Sequence, residues 1–135
     1  MMRKRISVLV LVVLALFFTA CTNNSSEGPV SVNRIKLTCK ITIGEPPCAN
    51  IESQDLDVIA VVETAISNAE QMPGMLNYAV ESILRLSTQE KTESYYLNLG
   101  SDRESSALLV KWPDTSTGYE ISTEDANRLR DVFGR

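Results

Sequence analysis

The chain has 135 residues, 44% of them apolar, with 13 basic side chains against 17 acidic ones and no histidine. That length supports one domain with one modest core. The net charge of −4 repels phosphate backbones, which argues against nucleic acid as a partner. The missing imidazole excludes a Ser-His-Asp triad, a Cys-His pair and any histidine-based metal site.

Taken in chain order, the sequence begins with Arg3, Lys4 and Arg5, runs apolar to Phe18 and then meets the small residues Thr19 and Ala20. This is the three-part layout of an export signal. A run of about a dozen residues reaches roughly 18 Å, short of the ~30 Å hydrocarbon core, so a permanent spanning helix fits less well. Phe18-Thr19-Ala20-Cys21 resembles the bacterial lipobox, with Phe18 where leucine is usual. In such signals the cysteine thiol is diacylated and becomes the new N-terminus, and two acyl chains make a stable membrane anchor where one does not. Ordinary secretory cleavage and an uncleaved anchor are the rival readings. Residues 1–20 are thus expected to be a signal, 21–33 a flexible tether rich in Ser, Asn, Gly and Pro, and 34–135 a single domain. Losing Arg3, Lys4 and Arg5 leaves the remainder more acidic, as solubility alone would explain.

Residues 34–43, "RIKLTCKITI", alternate with Ile35, Leu37, Cys39, Ile41 and Ile43 on one face, the pattern of a strand with one wet side. With Cys21 assigned to lipid, Cys39 and Cys48 remain. An exported compartment permits their pairing, and the Gly-Pro-rich stretch between them can reverse the chain. Such a bridge is worth roughly 2–3 kcal/mol; two buried thiols or a reduced pair are the alternatives. Two cysteines do not complete a tetrahedral metal set, so neither metal nor cofactor is expected. Residues 44–52 read as a turn or loop.

Residues 53–71 predict a helix capped by Ser53 or Asp55, with Leu56, Ile59, Val62, Ile66 and Ala69 as its apolar stripe and Pro73-Gly74 as its stop. Four strand-like runs follow. Tyr78, Val80, Ser82, Leu84 and Leu86 share a face in the first. Tyr95, Leu97 and Leu99 oppose Tyr96 and Asn98 in the second. Leu108, Val110 and Trp112 align in the third, and Tyr119 and Ile121 mark a short fourth. Short polar links make this an antiparallel meander. Ser122 then caps a final helix over residues 123–133, with Ile121 stapled to Ala126 and Ala126, Leu129, Val132 and Phe133 buried. The expected fold is α+β, two-layered, with four to five antiparallel strands and both helices on one face.

Three stretches, "AISNAEQMPGML", "ESYYLNLGSD" and "YEISTEDANRLRDVF", resemble the YhfM-like small lipoproteins of Gram-positive bacteria. The matching residues are Ala69, Pro73, Gly74, Tyr96, Leu97, Leu99, Tyr119, Ser122, Asp125, Ala126 and Leu129. The chain departs from that pattern at Asn98, where an aromatic is common. The resemblance implies a membrane-tethered extracytoplasmic lipoprotein of unassigned function and brings no catalytic residues.

The chain holds no Gly-rich phosphate loop and no zinc motif. Paired carboxylates are the remaining route to acid–base chemistry. Glu63 and Glu70 are expected on the exposed side of the first helix, as solvated charges. Asp102, Arg103 and Glu104 are expected at a hairpin tip. Trp112 either packs on the core at a strand end or stands exposed as a binding anchor. The outer sheet face, with Tyr96, Asn98 and Trp112, is the candidate surface for an envelope protein or peptide. The leading expectation is a non-enzymatic, lipid-anchored binding or accessory module. An envelope sensor or inhibitor of an enzyme or receptor is the alternative. A small carboxylate-dependent hydrolase is a third reading, which needs a pocket joining two acids.

Overall fold

The alternation of residues 34–39 is realised as strand β1, Arg34–Cys39, with Ile35 and Leu37 each 1% exposed. The computed structural model describes residues 31–40 and 48–135. The signal over residues 1–20, the lipidation of Cys21, nearly all of the tether and the strand positions Ile41 and Ile43 lie outside the described residues. After β1 come β2 (Ile51–Ser53), helix α1 (Leu56–Asn68), β3 (Glu70–Gln71), β4 (Ser82–Ser87), β5 (Thr92–Asn98), β6 (Ala107–Lys111), β7 (Gly118–Ile121) and helix α2 (Thr123–Phe133). The domain is α+β, with two helices and a seven-stranded antiparallel sheet in the order β2-β1-β4-β5-β6-β7-β3.

The sheet is larger than the expected four to five strands because two short edge strands join it. Ile51 and Glu52, expected in a loop, and Ser53, expected at the start of the first helix, pair with Leu37, Lys36 and Ile35. Glu70 and Gln71, expected in the first helix, pair with Glu120 and Tyr119. The helix stops at Asn68, well before Pro73, and Ala69 is extended at φ −64°, ψ 135°. The hydrogen bonds that residues 70–71 gain on the open edge of β7 replace those a longer helix would have made. Asp55, not Ser53, caps α1 by accepting from the Asp57 backbone N–H at 2.8 Å. Leu56, expected in the buried stripe, is 76% exposed because it stands at the helix start; Ile59, Val62 and Ala65 carry the burial instead.

Residues directly opposite in an antiparallel ladder share a face. Ile35 and Leu37 therefore stand with Leu84 and Leu86, with Tyr95 and Leu97, with Ala107 and Leu109, and with Ile121. These residues join Ile59, Val62 and Ala65 of α1 and Ala126, Leu129 and Phe133 of α2 in one core. Each fully buried Leu or Ile is worth about 1.5–3 kcal/mol.

β3 lies at one edge and β4 between β1 and β5, so residues 72–81 must travel back past β7, β6 and β5. They run as a strap over the face opposite the core. The Met72 N–H donates to the Gly118 carbonyl at 2.8 Å. Leu76 lies so close over Gly118 that a Cβ there would come within 2.6 Å of its Cδ2. Asn98 Oδ1 accepts from the Glu81 N–H at 2.9 Å, and its Nδ2 donates to the Ala79 carbonyl at 2.7 Å. This strap is why Val110, which points away from the core, is 0% exposed. It also corrects the expected strand: Tyr78 and Val80 belong to the strap, and only Ser82, Leu84 and Leu86 continue as an inward row.

Helix α2 begins and ends as expected. Ser122 accepts from the Asp125 N–H at 3.2 Å, and Gly134, at φ 69°, closes the C-terminus in the left-handed region that glycine tolerates. Asp125 does not complete a capping box. Its carboxylate accepts from Asn68 Nδ2 at 3.1 Å, which ties the two helices, and it lies 3.6 Å from Arg128. Arg130, absent from the expected buried stripe, is 0% exposed.

Candidate functional site

Tyr95 points into the core, so its neighbour Tyr96 must point out. The same alternation sends Arg85, between Leu84 and Leu86, and Ser94 to the outer face. The registers place Lys36 opposite Arg85 and Arg85 opposite Ser94. The Trp112 N–H donates to the Ser94 carbonyl at 3.0 Å, which continues this row across four strands. Trp112 is 55% exposed, so it is not packed on the core.

Arg85, Ser94, Tyr96 and Trp112, with Ile83, which pairs with Tyr96 on the same face, line a shallow depression of about 270 Å³. The structure thus brings together two of the three sequence-derived surface residues. The third, Asn98, commits its side-chain amide to the strap. Arg85 was missed on the sequence; its only signal was a cation at an outward position of the "SILRLS" strand. Tyr78 of the strap stands near Tyr96; burial first, and Tyr96 second, push its hydroxyl pKa up.

A second depression, of about 280 Å³, is lined by Asn68, Glu70, Glu120 and Ser122. Glu70 and Glu120 are directly opposed on the edge pair, an arrangement that costs stability for like charges. Glu70 has left the helix, so it does not share an exposed helix side with Glu63. Asn68 and Ser122 are occupied by Asp125, through its carboxylate and its backbone N–H respectively. Among the described residues no group of three or more His, Cys, Asp or Glu side chains is placed to hold a metal ion.

The remaining polar sites are structural joints. Asp102 accepts from the Glu104 N–H at 3.0 Å and from the Ser105 hydroxyl at 2.5 Å, and Arg103 reaches Asp131 at 2.6 Å. The hairpin tip is therefore pinned to α2. Hydrogen bonds from Ser105, then from the Glu104 backbone, hold the Asp102 carboxyl below its ordinary pKa. Cys39 and Cys48 form a disulfide with a Cα–Cα distance of 5.8 Å, and the Cys39 N–H donates to Asn50 Oδ1 at 2.8 Å. Together they fasten the end of β1 to the entry of β2. No described helix is long and apolar enough to cross a membrane. No family model, curated protein or solved structure matches the chain.

Proposed function

We propose that this protein is a lipid-anchored, extracytoplasmic binding or accessory module without an enzymatic activity, related to the YhfM-like lipoproteins. The observation that carries the reading is Cys21, which follows Phe18-Thr19-Ala20 at the end of a short apolar run and opens a polar tether. The Cys39–Cys48 bridge supports an oxidising compartment. In this reading the domain has two layers, with both helices on one face of the sheet and the uncovered half of the other face turned to a partner. The depression beside Glu70 and Glu120 supports hydrolysis poorly, since its flanking polar groups serve the helix joint.

The test is a membrane fractionation of the parent and Cys21→Ala chains, with intact-mass measurement of the detergent-extracted parent. The expected outcome is a diacylated Cys21 as the first residue, and release of the variant into the soluble fraction. An unacylated N-terminus, or a variant that stays with the membrane, refutes the anchor. Chemical cross-linking in native membranes tests the binding role, which predicts a specific protein adduct.

A further inference from the structure

We infer that the depression formed by Arg85, Tyr96 and Trp112 recognises an acidic peptide segment, with a carboxylate of the partner on Arg85. The inference rests on the binding-module reading and names the partner chemistry of that module.

The first observation is the isolation of Arg85. Arg34 pairs with Glu52, Arg103 with Asp131, Arg128 with Glu124 and Arg135 with Glu81, while Arg130 donates to backbone carbonyls. Among the described arginines, Arg85 alone has neither an ion pair nor a side-chain hydrogen bond with a described residue. A guanidinium keeps its charge and presents a rigid fork of donors that matches a carboxylate. Here that fork is half-buried and, among the described residues, unused.

The second observation is its company. Tyr96 and the exposed Trp112 line the same depression. Tyr, Trp and Arg are the residues over-represented where binding energy concentrates, because rigid aromatic rings bury much area at little entropic cost. Ser94 adds a hydroxyl beside them.

The third observation is charge. The chain as a whole is acidic, at −4, but among the described strand residues the open part of this face carries Arg34, Lys36 and Arg85 against Glu52, which lies 3.4 Å from Arg34 and 3.9 Å from Lys36. A basic patch on an acidic protein steers acidic partners to one place. The row from Lys36 through Arg85 and Ser94 to Trp112 spans four strands. At about 4.8 Å between strands this is roughly 14 Å, the reach of four to five extended residues. The basic side chains therefore extend past the depression, which suits a peptide better than a single small acid.

Trp112 is the only tryptophan in the chain, so its emission reports on this site. The full chain in detergent is titrated with a pool of hexapeptides carrying glutamate at alternating positions and random residues between. The matching lysine pool and anionic phospholipid vesicles serve as comparisons. The expected result is a shift in Trp112 emission with the glutamate pool only, weakened by added salt. Arg85→Gln should weaken that binding by about tenfold or more, and Arg85→Lys should retain part of it. Equal response to both pools, unchanged binding by Arg85→Gln, no response at all, or a response to vesicles alone would each overturn the inference. Cross-linking the parent and Arg85→Gln chains in native membranes separates this from failure of the underlying reading. One adduct formed equally by both chains rejects the carboxylate site and leaves the module. No adduct with either rejects both.

Discussion

Arg130 shows how much one side chain can do in a small domain. Its Nη2 donates to the Leu99 carbonyl at 2.6 Å and the Ser105 carbonyl at 3.0 Å, its Nε to Gly100 at 3.3 Å and its Nη1 to Asn127 Oδ1 at 2.8 Å. It thus fastens α2 to both sides of the β5–β6 turn, and burial pulls its pKa down. Arg130→Met should lower stability by about 3 kcal/mol in urea unfolding, because three carbonyls lose their donor. Arg130→Lys should recover little, since one ammonium cannot reach all three. Glu93 makes a second residue-scale prediction. Lys91 first, then Lys111 and Tyr95, hold its pKa low against the opposing effect of burial. Its folded pKa lies below the unfolded one, so its stabilisation is full above the ordinary glutamate value and fades as pH falls through the folded value. Glu93→Gln should therefore cost up to about 1 kcal/mol at neutral pH and nothing in strong acid. Burial, with the Glu93 charge, pushes Tyr95 up to about 12. Its contribution is intact below the ordinary tyrosine value near 10 and is lost as pH rises toward 12. Chemical denaturation across pH checks both ends.

At the scale of elements, the strap over residues 72–81 is the unexpected feature, and Gly118 is its point of contact. An added methyl would meet Leu76 Cδ2 at 2.6 Å and Leu108 Cδ1 at 3.2 Å. Gly118→Ala should cost about 1–3 kcal/mol by overpacking. Because the nearer obstacle is the far end of a side chain, adding Leu76→Ala should restore part of the loss. A double-mutant cycle in thermal unfolding measures that coupling, and strict additivity would deny the contact. The core strands and α2 were legible because their periodicities are long enough to read: Leu84 and Leu86, Tyr95 and Leu97, and Ala126 with Leu129. The edge strands were not. Two or three residues, as in Glu70–Gln71 and Ile51–Ser53, carry no period. They become strands because β7 and β1 offer unpaired backbone. Residues 77–81 misled for the converse reason: they continue the alternation of β4 in sequence, yet Asn98 holds their backbone as a crossing segment.

At the scale of the molecule, one disulfide secures the β1–β2 edge. Replacing Cys39 and Cys48 together by serine should lower stability by roughly 2–3 kcal/mol while leaving the core intact, as denaturant midpoints of the parent and variant would show. The candidate surface was half legible. Tyr96 could be assigned to the outer face by counting from an inward Tyr95, whereas Trp112 stayed open between core and surface until the register set Lys111 opposite Tyr95. Local spacing does not show that Asn98 is spent on the strap, that Arg85 finds no partner among the described residues, or that the two aromatics share a depression with it.

The division has a physical cause. The sequence by itself determined what local spacing controls: which sides of β1, β4 and β5 face inward, where Ser122 starts and Gly134 ends the last helix, and that Cys39 and Cys48 lie close enough along the chain to pair. Tertiary structure alone decided what depends on residues far apart in the chain. The strap exists because β3 and β4 occupy distant places in the strand order. By covering Val110 and stopping short of Trp112, it divides one sheet face into a buried half and an open one.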